Sequence, residues 1–213
     1  MIINLKGKQM KYNNFIFDLD GVLVDACDWH KQALNRALLE VCNYQISNEE
    51  HIKTFNGIPT KKKLEILNEK KIVKKKDFDK IFELKQKYTV DCIKKLSKKR
   101  KEKIELLEYC KENNIRVFCY TNSIRKTAEL MLETSGVKDY FEFILTNEDV
   151  DKPKPHEEGY ELLLKKYKLD PYKTLIFEDS PKGLASAWKT ECDVYQVRNI
   201  DDLNLSLVKR LMK

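Results

Sequence analysis

Apolar and polar positions along this chain follow two alternating rhythms. Short unbroken apolar runs recur at Phe15-Ile16-Phe17, from Ile115 to Tyr120, at Phe143-Ile144-Leu145, at Thr174-Leu175-Ile176-Phe177 and from Asp193 to Val197. Each has the length and character of a strand buried on both faces. Between them the apolar residues fall three and four apart, as on one face of a helix. Trp29, Ala33, Leu34, Ala37, Leu38 and Val41 mark such a face, and Asp28 stands where a cap belongs. Ser47-Asn48-Glu49-Glu50 reads as the next helix start. Further periodic stretches run from Phe78 to Leu96, from Glu102 to Asn113, through Ala128 to Leu132, through Tyr160 to Tyr167, and from Pro181, a residue tolerated in a first turn. Trp188, Phe141 and Tyr160 are expected in the core.

Strands alternating with helices predict an α/β, doubly wound (Rossmann-like) parallel sheet covered on both faces. The alternation is interrupted once. After the first strand, residues 28–100 are helical and lysine-rich and contain no buried-strand run. This stretch reads as an inserted all-helical cap, with residues 1–27 and 101–213 forming one core.

Ligands of open parallel sheets sit beyond the carboxyl ends of the strands. The predicted strand ends carry Asp18 and Asp20, Thr121 and Asn122, and Glu178 and Asp179, with Lys152 in the loop after the third strand. Asp18 and Asp20, two residues apart, begin on the same side of a strand. Negative charge at the edge of a core requires something positive beside it. Clustered carboxylates suit a hard cation such as Mg²⁺. The hydroxyl of Thr121, the amides around Asn122 and the charge of Lys152 suit phosphoryl oxygens. A carboxylate can also attack phosphorus, and a second acid can manage the proton.

Charge sharpens the contrast between the two parts. The net charge is +7, but residues 51–103 hold 19 Lys and Arg against 7 Asp and Glu, or +12, which leaves −5 elsewhere. Such a field attracts anions, although a solvated lysine-rich face explains most of it. No aromatic residues interleave with the lysine runs, so nucleic acid is not an expected partner. No apolar run is long enough to span a membrane, and no secretory leader is visible. The six scattered cysteines suit a reducing cytoplasm. A monomer or weak dimer is expected.

Four short motifs, in order, carry a family resemblance. Asp18-Leu19-Asp20-Gly21-Val22, Tyr120-Thr121-Asn122-Ser123, Lys152-Pro153-x-Pro155 and Glu178-Asp179-Ser180-Pro181-x-Gly183 resemble the four motifs of the haloacid-dehalogenase-like hydrolases. The insertion resembles the helical cap of the subgroup that includes beta-phosphoglucomutase and sugar-phosphate phosphatases. The resemblance implies Asp18 as nucleophile, Asp20 as general acid and base, and Thr121 and Lys152 as phosphoryl binders. It further implies Mg²⁺ held by Asp18, the Asp20 carbonyl, Glu178 and Asp179. His30 matches a cap histidine, and Asn56-Gly57-Ile58-Pro59-Thr60 aligns with a cap loop, so His30 and Gly57 are expected near substrate. The mutase carries a lysine and an arginine where this chain has Asn56 and Thr60. The expectation is therefore a Mg²⁺-dependent phosphatase of a small phosphorylated metabolite, with a sugar phosphate as the expected substrate. The rivals are a phosphosugar mutase and a polyanion-binding protein with a vestigial site.

Overall fold

The computed structural model describes residues 11–56 and 58–213. Five parallel strands, β1 (Asn14–Phe17), β2 (Arg116–Tyr120), β3 (Phe143–Leu145), β4 (Thr174–Glu178) and β5 (Asp193–Gln196), form one sheet in the order β3-β2-β1-β4-β5. Register is set by a pleat that is apolar on both sides. Phe15, Phe17, Val117, Cys119, Leu175 and Phe177 face one cluster, while Ile16, Phe118, Tyr120 and Ile176 face the other. A slip of one residue would exchange the two faces. Within the first cluster, Phe17 stacks on Phe177 at 4.7 Å and Phe15 meets Phe177 edge-on at 5.3 Å.

The helices divide between these faces. Helices α5 (Lys101–Glu112), α6 (Arg125–Thr134) and α9 (Leu205–Leu211) cover the phenylalanine-rich side through Leu106, Met131 and Val208. Helices α7 (Glu158–Tyr167) and α8 (Pro181–Ala187) cover the other through Tyr160, Leu163 and Ala187. The doubly wound sheet predicted from the apolar rhythm is the one observed. The terminal helix α9 carries no strong periodic signal and is not anticipated.

The stretch after β1 forms α1 (Cys27–Cys42), α2 (Asn48–Glu50), α3 (Thr60–Glu69) and α4 (Phe78–Leu96). Its apolar residues, among them Leu34, Leu38, Phe55, Leu64, Leu67 and Ile81, make a third cluster of their own. Trp29 and Ile93, at the near ends of α1 and α4, belong instead to the cluster under the sheet. Ser47 caps α2 by accepting from the Glu50 N–H at 3.1 Å. One wider turn, His51–Phe55, continues directly from α2 and closes with the Asn56 N–H on the His51 carbonyl at 2.8 Å.

Two expectations fail here. Asp28 is not the cap of α1: the helix starts one residue earlier, and Asp28 lies exposed in its first turn against Lys31 at 2.9 Å. Trp188 is not in the core. It is 63% exposed, because α8 turns Gly183, Leu184, Ser186 and Ala187 inward and ends before it. Tyr160 is fully buried, and Phe141 packs half-buried against the core.

Candidate active site

The site grows from the carboxyl end of β1, where strand order turns from β2 on one side to β4 on the other. Asp18 is the first residue beyond the strand, and its N–H still donates to the Phe177 carbonyl at 2.9 Å. That bond fixes the main chain while the side chain, 7% exposed, leaves the sheet edge. The chain then turns sharply. Gly21 has φ +91°, a left-handed conformation that a side chain would strain. The N–H groups of Leu23 and Val24 converge on the Leu19 carbonyl at 3.0 Å each. The turn sets Asp20 on a different heading from Asp18.

The two aspartates consequently have different partners. Asp18 Oδ1 accepts from Lys154 Nζ at 2.6 Å. The Asp20 carboxylate accepts from Ser123 Oγ at 2.9 Å and Thr121 Oγ1 at 3.2 Å, and lies 2.9 Å from His30 Nε2. Burial pushes the Asp20 carboxyl up, but His30, Ser123 and Lys85 together outweigh it and hold it at about 2. Burial also pushes Asp18 up, and there the neighbouring Glu178, Asp179 and Asp20 add to the push against Lys154, so its carboxyl lies well above the usual range.

His30, expected from the sequence, does reach the strand ends: α1 carries it over Asp20. A buried lysine stands behind it. Lys85 Nζ, from α4, is 3.3 Å from His30 Nδ1. An ammonium only donates, so this contact makes Nδ1 the acceptor and leaves the Nε2 hydrogen pointing at Asp20. Burial lowers Lys85 to about 8 despite the pull of Asp20.

The lysine that meets Asp18 is Lys154, not Lys152, and this corrects the sequence reading. Lys152 is exposed, and its main-chain N–H donates to Glu158 Oε2 at 3.1 Å. Both lysines precede a proline in Lys152-Pro153-Lys154-Pro155, so local pattern does not separate them. The separation comes from across the fold. The Asn122 side chain donates to the Lys154 carbonyl at 3.1 Å and accepts from the Lys154 N–H at 3.2 Å. This two-bond clamp turns Lys154 inward, where its Nζ also donates to Glu178 Oε1 at 2.5 Å and to the Tyr120 carbonyl at 2.7 Å. Asn122, expected as an anion-binding residue, thus uses its side-chain amide to place Lys154. Asp18 and Glu178 keep Lys154 charged against the cost of burial.

Asp18, Glu178 and Asp179 bring carboxylate oxygens within 4.8 Å of one another. Glu178 is fully buried, with Tyr160 donating its hydroxyl to Oε1 at 2.8 Å. Gly183 makes room for it: a Cβ there would lie 2.0 Å from the carboxylate. Glu178 Oε2 and Asp179 Oδ1 are buried without a partner among the described residues. Burial and the charges of Glu178 and Asp20 raise Asp179 to about 7. Three carboxylates against one ammonium leave two negative charges, the charge of one divalent cation. All-oxygen donors with two orphaned atoms fit a hard metal ion. The Asp20 carboxylate lies apart from this cluster, on His30, which is compatible with the expectation that its carbonyl is the ligand.

A cavity of about 290 Å³ separates the strand ends from the helical stretch and is lined by Asp18, Asp20, His30, Thr121, Lys154 and Asp179. Gly57 lies outside the described residues. Lys182, at the start of α8, reaches across and donates to the carbonyls of Thr54 at 3.2 Å and Asn56 at 3.0 Å. Ser123, Lys85, Lys154 and Lys182 were not singled out by sequence reasoning. Ser123 follows two residues that were, and its signal was available.

A family model for haloacid dehalogenase-like hydrolases matches residues 15–197, from the first strand to the last. The chain belongs to this family. It is a hydrolase by that membership, and its relatives are enzymes acting on phosphorylated compounds. It is 29% identical over 175 residues to a phosphorylated carbohydrates phosphatase of Thermotoga maritima, covering 81% of this chain and 78% of that protein. It is 27% identical over 177 residues to the pyrophosphatase PpaX of Oceanobacillus iheyensis, covering 83% and 79%. The fold is similar to that of beta-phosphoglucomutase from Clostridium difficile, with a TM-score of 0.78 and 22% identity over 94% of this chain and 96% of that one. No helix among the described residues is long and apolar enough to cross a membrane.

Proposed function

We propose that this hydrolase is a Mg²⁺-dependent phosphatase of a small phosphorylated metabolite, working through an aspartyl-phosphate on Asp18. The observation that carries the reading is the unequal pair of aspartates. Asp18 stands between Lys154 and the acidic cluster, while Asp20, two residues on, is held by His30, Ser123 and Thr121. Asp18, Glu178, Asp179 and the Asp20 carbonyl would hold Mg²⁺, which supplies positive charge to the phosphoryl oxygens and to Asp18.

The chain's own residues divide the remaining work. An Asp18 carboxylate oxygen forms a bond to phosphorus as the bond from phosphorus to the ester oxygen breaks. The departing oxygen takes a proton from Asp20, whose proton affinity rises once a phosphate dianion lies beside it. Water then attacks phosphorus, Asp20 takes up the water's proton, and Asp18 is released with inorganic phosphate. Lys154 and Thr121 offset the charge on the transferred group.

The helical stretch 28–100 serves as a cap that closes over the site and excludes bulk water during the first step. Lys182 holds it closed through Thr54 and Asn56. The cavity is at the small end of the roughly 300–1,000 Å³ usual for ligand pockets, which supports a metabolite-sized substrate. The free thiols of Cys42, Cys92, Cys110, Cys119 and Cys192 support a reducing compartment such as the cytoplasm. The test is a panel of phosphorylated metabolites with Mg²⁺, read as released phosphate. Turnover of at least one, lost on chelation, supports the reading; no turnover of any member overturns it.

A further inference from the structure

Lys154 has three hydrogens to give, and all three are placed. They go to Asp18 Oδ1 at 2.6 Å, Glu178 Oε1 at 2.5 Å and the Tyr120 carbonyl at 2.7 Å. The lysine's hold on Glu178 is therefore shared with Asp18, whose charge changes when it takes a phosphoryl group. Glu178 is fully buried among like charges, so a second partner that does not depend on Asp18 matters to where it points.

Tyr160 is such a partner. It stands in the first turn of α7, is fully buried, and donates its hydroxyl to Glu178 Oε1 at 2.8 Å. A carboxylate only accepts, so the phenol is the donor, and a bond to a charged acceptor is among the stronger kinds. The ring is held independently of that bond. It meets Tyr120 edge-on, with centroids 4.9 Å apart and planes at 85°. The Lys154 ammonium lies 4.5 Å from the Tyr120 centroid and 5.4 Å from that of Tyr160, so the two rings also wall in the lysine.

Core packing accounts for the ring and not for the hydroxyl. A phenylalanine would fill the same place beside Leu163 and Tyr120. Tyr120 is equally buried, and its own hydroxyl has no partner among the described residues. Of these two neighbouring phenols, the one on α7 is aimed at the carboxylate cluster.

We propose that Tyr160 is a positioning residue for the metal site: its hydroxyl holds the Glu178 carboxylate in the orientation that completes the cluster with Asp18 and Asp179. This rests on the reading of that cluster as a Mg²⁺ site.

Calorimetric titration of Mg²⁺ into metal-free protein tests the proposal without turnover. Tyr160→Phe keeps the ring and leaves no buried donor unpaired, and its Mg²⁺ affinity falls about tenfold or more, as when other outer partners of metal ligands are removed. Leu163→Val, on the same helix and in the same cluster, lowers Tm and keeps the native Mg²⁺ affinity. Equal affinity in native and Tyr160→Phe protein overturns the role of the hydroxyl and leaves the metal site standing. An equal loss in Leu163→Val also overturns it, because packing then accounts for the effect. No Mg²⁺ binding by the native protein overturns the metal site and the proposal together. A steady-state assay on a metabolite that the native protein hydrolyses gives a second readout. Tyr160→Phe raises the Mg²⁺ concentration for half-maximal rate about tenfold, and saturating Mg²⁺ restores most of kcat. An unchanged Mg²⁺ requirement overturns the proposal.

Discussion

Lys85 offers a test in which stability and activity move in opposite directions. Lys85 is 6% exposed, and its ammonium meets the His30 ring at 3.3 Å. Burial lowers it from 10.5 to about 8. The unfolded chain therefore binds more protons at this residue than the native protein between about pH 8 and 10.5, and stability rises with pH across that window. Below it the cost is constant, and at about 1.4 kcal/mol per unit it comes to roughly 3 kcal/mol at pH 7. Lys85→Met keeps the length and removes the charge. Loss of the contact to His30 returns about 1 kcal/mol. The net gain is roughly 2 kcal/mol at pH 7, or a rise in Tm of roughly 4–8 °C for a chain of this size. Turnover should fall at least tenfold, by an order-of-magnitude estimate for a mispositioned acid–base group, because His30 no longer has its Nδ1 donor. Urea unfolding of both proteins at pH 7 and pH 9.5 reads the stability difference, which should fall from roughly 2 kcal/mol to a few tenths as the lysine's penalty fades. A variant less stable than the native protein at pH 7, or a difference that does not change with pH, refutes the reasoning.

Other expectations follow from single contacts. Gly183→Ala puts a methyl group against the Glu178 carboxylate, which Lys154 and Tyr160 hold in place, so calorimetry should show metal affinity reduced at least about tenfold. Asn122→Ala releases the Lys154 loop without touching Asp18. It should raise KM for the phosphorylated substrate and lower kcat together, by about tenfold or more, in steady-state assays. Asp179 lies at about 7 without metal, so the native protein then binds more protons than the unfolded chain. Metal-free protein should accordingly lose stability as pH rises from about 4 to about 7, and saturating Mg²⁺ should flatten that slope in thermal melts. Lys182→Ala removes the contacts to Thr54 and Asn56 and should speed limited proteolysis at the junctions of the helical stretch by several-fold, on the order expected when a local opening costs about 1 kcal/mol less.

The sheet was legible because each strand is a short apolar run bounded by polar residues, and Phe15, Ile16 and Phe17 have no polar face to misread. Asp18 and Asp20 were legible because carboxylates directly after such a run need partners. What was not legible depends on contacts between distant residues. Lys152 and Lys154 are chemically equivalent until Asn122, on another strand end, clamps one of them. Lys85 is one lysine among many on α4, and only the packing of α4 against α1 buries it beside His30. Trp188 was misread because a short helix with Pro181 and Gly183 fixes its inward face by close approach to Glu178, not by apolar periodicity. The helix at Leu205–Leu211 is too short to show a period by itself.

The central claim is that phosphorus is transferred to Asp18. Native protein mixed with excess phosphorylated substrate and Mg²⁺, quenched in acid within a turnover and digested, should yield the peptide containing Asp18 heavier by one phosphoryl group. The same peptide from Asp18→Asn protein should carry no added mass, and that variant should release no phosphate above background. A phosphoryl group on any other residue, or sustained metal-dependent hydrolysis by Asp18→Asn, would contradict the account.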